Sequence, residues 1–198
     1  PNLFGLNPSA RYVMGVDVSR FHIRLGIFDF NNQLVTDIKV LEQGLDVSTD
    51  IMKTLKDEIS GYIKESGIDK TKLMGIGVAF PGLNDLHTGI SYRYLGDDTP
   101  ATIKFENFSD YPVFVENDAK AMALGEQSFG LANGKQNVLC LNIGSDIGLG
   151  MILNGKLYKG NSGFSGEFGH IQVDPGGQLC YCGKIGCLET LASGTAMI

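Results

Sequence analysis

The order of apolar segments along the chain most tightly limits what it can fold into. Three short strands come first, over residues 12–19, 22–28 and 33–40. Asn31-Asn32 supplies the tight turn between the last two. Residues 47–66 then carry Ile51, Leu55, Ile59 and Ile63 at helical spacing, closed by Ser66-Gly67. A strand over 72–79 runs into Phe80-Pro81-Gly82. Residues 84–100 show no period and read as a loop with a short hairpin at 90–94. Residues 102–108 read as a short helix and 113–115 as a short strand. After a helix over 118–130, strands return at 137–143, 148–153 and 156–158, with turns at Gly144-Ser145-Asp146 and Asn154-Gly155. A loop-rich stretch over 160–189 leads to a last helix over 188–198. A strand meander that restarts after a helix predicts an α/β protein of two similar lobes. The expected division is a linker over 1–11, a first lobe over 12–117 and a partial second lobe over 118–198. The second lobe is expected to be truncated, because helices to cover its sheet are missing.

Cys180-Tyr181-Cys182-Gly183-Lys184-Ile185-Gly186-Cys187 follows His170 by ten residues. Three thiolates this close repel one another without a cation between them. Closed structural zinc sites take four N or S ligands tetrahedrally, and His170, Cys180, Cys182 and Cys187 supply such a set. Gly183 and Gly186 let the backbone wrap an ion. A buried apolar cluster is the competing reading, and the glycines and polar residues around the cysteines oppose it.

Composition excludes several classes. The net charge is −6 with no Lys/Arg run, so the 198 residues themselves are a poor nucleic-acid binder. No apolar run is long enough to span a bilayer, and no signal pattern opens the chain. Three of four cysteines fall within eight residues, unlike a secreted disulfide framework. A cytoplasmic protein is expected. Cys140 lies in an apolar strand and reads as a buried small hydrophobe. His22 and His87 have no metal-ligand partner at useful spacing. Phe105 and Phe114 read as core.

Glu116-Asn117-Asp118-Ala119 falls between a strand end and a helix start. Asp118 is a natural N-cap there. The C-terminal end of a strand is equally where open α/β sheets bind ligands, and an amide beside a carboxylate suits adjacent sugar hydroxyls. Spacing alone leaves both readings open. Glu167 precedes the metal-ligand candidate His170 by three residues, and Glu189 follows Cys187 by two. Both are either solvated loop charges or groups aimed at a ligand by a rigid loop.

Together these motifs resemble the ROK family, named for repressors, open reading frames and kinases. The resemblance rests on His170, the C-x-C-G-x-x-G-C run, Glu189, Glu116-Asn117-Asp118-Ala119, Ala123-Leu124-Gly125-Glu126 and Pro81-Gly82. It implies an actin-like ATPase fold of two ribonuclease-H-like lobes, with a sugar in the cleft between them. It further implies that Asn117, Asp118, Glu167, His170, Glu189 and Gly82 form the sugar pocket. His170 would give one ring nitrogen to zinc and the other to the sugar. Asp118 holds the position of the catalytic base in family kinases. A homo-oligomer is expected.

Family kinases also carry an Asp-x-Gly-Gly-Thr turn after the first strand and a second Gly-Thr-Gly turn, both cradling ATP phosphates. Asp17-Val18-Ser19-Arg20-Phe21 keeps only the aspartate, and Gly144-Ser145-Asp146 ends in a carboxylate. Like charges at about 4 Å cost on the order of 1 to 4 kcal/mol at effective dielectrics of 80 to 20. Asp17, Gly144 and Ser145 are therefore remnants of a cofactor site, and ATP binding is not expected. Leu3-Phe4-Gly5-Leu6-Asn7-Pro8 resembles the linker that follows a helix-turn-helix domain in family repressors. The resulting expectation is the sugar-sensing domain of a transcriptional repressor. DNA would be bound through a missing N-terminal domain. An ATP-dependent sugar kinase is the alternative.

Overall fold

A computed structural model of the chain describes residues 5–42, 51–85, 90–95, 99–105 and 109–198. Its elements run β1 (Tyr12–Val18), β2 (Ile23–Asp29), β3 (Lys39–Leu41), α1 (Ile51–Glu65), β4 (Leu73–Phe80), β5 (Leu83–Asp85), β6 (Ile90–Leu95), β7 (Thr99–Lys104), β8 (Val113–Asn117), α2 (Asp118–Phe129), β9 (Val138–Ile143), β10 (Ile147–Leu153), β11 (Lys156–Leu157) and α3 (Glu189–Ala192). They divide into two compact units. One is Pro1–Phe80 with Lys104–Val115, and the other is Pro81–Ile103 with Glu116–Ile198. Among the described residues, no helix is long and apolar enough to cross a membrane.

The first unit is built on a five-stranded mixed sheet in the order β3-β2-β1-β4-β8. β1 pairs antiparallel with β2 and parallel with β4. Alternation in β1 and β2 buries Met14, Val16, Val18, Ile23, Leu25 and Ile27. α1 buries the stripe Leu55, Ile59, Tyr62 and Ile63, each worth about 1.5–3 kcal/mol when fully removed from water. Phe80 and Phe105 close the core edge to face, with ring centroids 5.5 Å apart.

The second unit carries two three-stranded sheets, β11-β10-β9 and β5-β6-β7. α2 packs on β9 and β10, burying Ala119 and Ala123. The sequence places the division at 117/118, with residues 12–117 in the first lobe. In the structure the division falls between Val115 and Glu116, and Pro81–Ile103 joins the second unit. One tie is local: the Asn117 side-chain amide donates to the Gly82 carbonyl at 3.2 Å.

Six sequence expectations need correction. The third strand begins at Lys39 rather than at 33, with only an isolated bridge from Leu34 to Phe28 before it. The Tyr62 hydroxyl engages Thr36 and donates to the Asp37 carbonyl, so that stretch turns to α1 rather than to β2. The expected helix at 102–108 is strand through Lys104, as the β-branched pair Thr102-Ile103 favours; residues 106–108 lie outside the described part. The stretch 84–100 contains β5, β6 and the start of β7, with Leu83 paired to Tyr92. His87 lies outside the described part. The last helix is a single turn, α3, followed by a 3-10 turn at Gly194–Ala196. Ser193 breaks the run by capping Ala196 with its hydroxyl. Phe114 is 71% exposed, and Cys140 is only partly buried.

Candidate functional site

The loop after β11 brings His170, Cys180, Cys182 and Cys187 together, with one donor atom from each within 4.8 Å of the others. His170 Nδ1 lies 3.6 Å from Cys180 Sγ, and Cys182 Sγ lies 3.6 Å from Cys187 Sγ. Tetrahedral zinc with Zn–S near 2.3 Å and Zn–N near 2.1 Å spaces its ligands by about 3.6–3.8 Å. Two donor pairs already stand at that spacing, and the widest separations in the set would close slightly around such an ion. Backbone bonds pre-form the loop: Cys180 N–H donates to Lys184 at 2.7 Å, and Gly186 N–H to Gln178 at 2.8 Å. Gly183 and Gly186 take φ of 86° and 69°, the left-handed turns that wrap the sulfurs. Burial pushes the Cys180 thiol up to about 12. A thiolate there needs a cation beside it.

The same loop aims two carboxylates. Glu167 stands before a 3-10 turn at Phe168–His170. Gly166 makes this possible, with φ of 84° and no room for a Cβ against the Leu149 carbonyl. Glu189 opens α3, is 6% exposed, and accepts from Ile147 N–H at 3.2 Å. Burial raises the Glu167 carboxyl above its usual range. Lys120 opposes the rise, Asp118 and Glu189 add to it, and Lys184 opposes it. Glu167, Asp118 and Glu189 therefore share one electrostatic neighbourhood.

Asn117, not Asp118, caps α2: its side-chain oxygen accepts from Lys120 N–H at 3.1 Å. The capping reading of Asp118 is thereby corrected. Asp118 is the first helical residue, where a carboxylate also sits well with the helix dipole. Asn117 is held from both ends, by Lys120 N–H and the Gly82 carbonyl. Glu116 pairs with Lys159 at 2.7 Å.

Lys120 escaped the sequence reading. It is 3% exposed, and its ammonium donates to the Gly163 carbonyl at 2.6 Å. Burial lowers its pKa, while Glu167, Glu116 and Asp118 oppose that. It ties α2 to the loop that carries Glu167 and balances the carboxylates. Its spacing from Ala123 was the available signal, since i and i+3 share a helix face. Lys120→Met is expected to lose about 1.5–3 kcal/mol of stability, because a charged hydrogen bond goes and carboxylates are left uncompensated. Urea denaturation tests this; an unchanged midpoint would mean that the bond contributes nothing.

The residues expected as remnants of phosphate loops have partners within the chain. The Asp17 carboxylate accepts from Arg24 at 3.0 Å. Ser145 Oγ donates to Asp146 at 3.2 Å. Gly194 N–H donates to the Gly144 carbonyl at 2.7 Å, and the Thr195 hydroxyl donates to the Ser145 carbonyl. The other histidine in the described part, His22, pairs with Glu42 at 3.1 Å.

The pattern of the ROK family matches residues 13–198. The chain belongs to the ROK family. It is 36% identical over 197 residues to a glucokinase of Halalkalibacterium halodurans, covering 96% of this chain and 58% of that protein. It is also 36% identical over 202 residues to the xylose repressor of Bacillus subtilis, covering all of this chain and 52% of that protein. The crystal structure of a ROK family glucokinase from Streptomyces griseus, in complex with glucose and AMPPNP, superposes with a TM-score of 0.77. The two are 31% identical, and the match covers 94% of this chain and 58% of that one. The chain thus spans about half the length of the curated relatives it matches. Its α/β architecture with a mixed sheet is that of the family's sugar kinases.

Proposed function

We propose that this ROK family chain is the sugar-sensing part of a transcriptional repressor. Asn117, Asp118, Glu167, His170, Glu189 and the Gly82 backbone hold the hydroxyls of a monosaccharide or its derivative. The observation that carries the reading is a contrast. The amide and carboxylate groups gather in one unit around a pre-formed loop, whereas the Asp17 and Ser145 side chains of the phosphate turns already have internal partners. Asp146 adds a negative charge where a polyphosphate would lie. DNA is engaged by another part of the full-length protein, a reading supported by a relative in Escherichia coli named as a DNA-binding transcriptional repressor.

His170, Cys180, Cys182 and Cys187 hold zinc. A closed set of one nitrogen and three sulfurs leaves no open position, so the ion supplies structure rather than Lewis acidity. It fixes the loop that carries Glu167 and Glu189, and those residues do the recognition.

A sugar kinase is the second reading, favoured by the glucokinase relative. Asp118 would then take the proton from the attacking hydroxyl. Phosphoryl transfer depends on positioning the phosphates and stabilising their charge, for which this chain has lost its usual groups. The deciding experiment uses the full-length protein. Operator DNA affinity is expected to change on adding a sugar, and ATP is expected to bind weakly with or without magnesium. Steady ATP-dependent phosphorylation of a hexose at roughly 1 to 1000 per second would establish the kinase instead.

A further inference from the structure

The loop that carries Glu167 has little rigidity of its own. Gly160, Gly163 and Gly166 stand three residues apart and take left-handed φ of 69°, 84° and 84°. A backbone so rich in glycine is easily reshaped. Two of the loop's bonds fold it back on its own start. Ser165 N–H donates to the Lys159 carbonyl at 3.3 Å, and Ser165 Oγ donates to the Tyr158 carbonyl at 2.6 Å. Neither bond sets where the loop stands relative to Asn117 and Asp118.

Two lysines make that connection, and they cross. From α2, the Lys120 ammonium donates to the Gly163 carbonyl at 2.6 Å. From the loop, the Lys159 ammonium reaches back to Glu116 Oε2, near the end of β8, at 2.7 Å. One tie would let the loop pivot about it. Two ties, set four residues apart on each segment, fix its orientation as well as its distance. The far side of the clasp is itself held. The other Glu116 oxygen accepts from Asn117 N–H at 3.0 Å. α2 lies so close on β10 that a Cβ at Gly148 or Gly150 would run into Ala119, the residue before Lys120. The β8–α2 junction is thus the fixed member, and the glycine loop is the member that gets held. Lys120 is 3% exposed and donates to a backbone carbonyl, so it acts on the loop rather than on a ligand.

We propose that Lys120 and Lys159 are positioning residues of the sugar site. Together they clasp the Glu167 loop against the β8–α2 junction, so that Glu167 meets the same ligand as Asn117 and Asp118. The inference rests on the sugar reading of this site and adds to it two residues that act through the loop.

The test is isothermal calorimetry with glucose and with xylose on zinc-loaded full-length protein. It compares wild type, Lys159→Met, Lys159→Arg, Glu116→Gln, the double variant Glu116→Gln/Lys159→Met, and Lys120→Met. Lys159 is the cleaner probe, because its side chain is 41% exposed and its exchange leaves no buried gap. Lys159→Met is expected to weaken sugar binding about 3- to 5-fold, the scale of one partly exposed ion pair. Its zinc content and urea midpoint should stay at the wild-type values. Lys159→Arg should bind as wild type does, since a guanidinium also pairs with a carboxylate. Glu116→Gln should cost as much as Lys159→Met, and the double variant no more than either. Lys120→Met should lose about 10-fold, as a buried charged hydrogen bond is the stronger tie. Wild-type affinity in Lys159→Met, whatever Lys120→Met does, would overturn the clasp. So would losses that add in the double variant, a loss that Lys159→Arg fails to recover, or a loss in Lys159→Met that tracks a lowered midpoint. If wild type itself binds neither sugar, the sugar reading falls and the proposal falls with it.

Discussion

Cys182→Ser is expected to lose most of the bound zinc, and with it much of the stability of the second unit. Metal analysis of the wild type should find about one zinc per chain, as one four-ligand set requires. Cys182 is only partly buried, so the exchange of sulfur for oxygen leaves no sizeable cavity. What it removes is one of three thiolates. Metal binding and local folding are coupled, because the unfolded chain presents no formed site. With free zinc above the wild-type Kd, a thousandfold loss of affinity takes away up to about 4 kcal/mol of linked stability. A calorimetric scan should show the loss, and a chelator should reproduce it in the wild type. Cys140→Ala should keep full zinc, since Cys140 lies on β9 and outside the cluster. Full zinc and an unchanged melting curve in Cys182→Ser would defeat the assignment.

Asp118→Ala and Glu167→Ala are each expected to weaken sugar binding about 10- to 150-fold. That range is a charged hydrogen bond of roughly 1.5–3 kcal/mol expressed as affinity. A thermal-shift screen of monosaccharides, including the glucose and xylose named for relatives, identifies the ligand first. Isothermal calorimetry on the full-length protein then measures each variant. The effects should not add. Asp118, Glu167 and Lys120 act on one another electrostatically, so removing one changes what the others contribute. Binding at wild-type affinity in both variants would place the sugar elsewhere.

Much of this was legible in the residues. The strands at Tyr12–Val18 and Ile23–Asp29 follow from alternation, and α1 from a four-residue apolar spacing. The His/Cys cluster was legible because its geometry is almost local: its four residues lie within 18 positions, and the glycines between them mark the turns. The sugar-site assignments of Asn117, Asp118, Glu167 and Glu189 came from family resemblance rather than from periodicity. Helix–strand ambiguity at 102–108 arose because a short apolar run carries no decisive period.

By itself, then, the sequence determined the order of the elements outside 83–104, the family and the members of the His/Cys cluster. These depend on local pattern and on residue chemistry close along the chain. Only the tertiary structure decided that Pro81–Ile103 belongs with the second unit, that Asn117 rather than Asp118 caps α2, and that the Asp17 and Ser145 side chains already have partners. It alone brought Lys120 to Gly163 across 43 positions, and Ile147 N–H to Glu189 across 42. Such pairings depend on how α2, β10 and the metal loop pack. A buried charge or polar group takes the partner that packing leaves within reach, and no spacing along the chain encodes that.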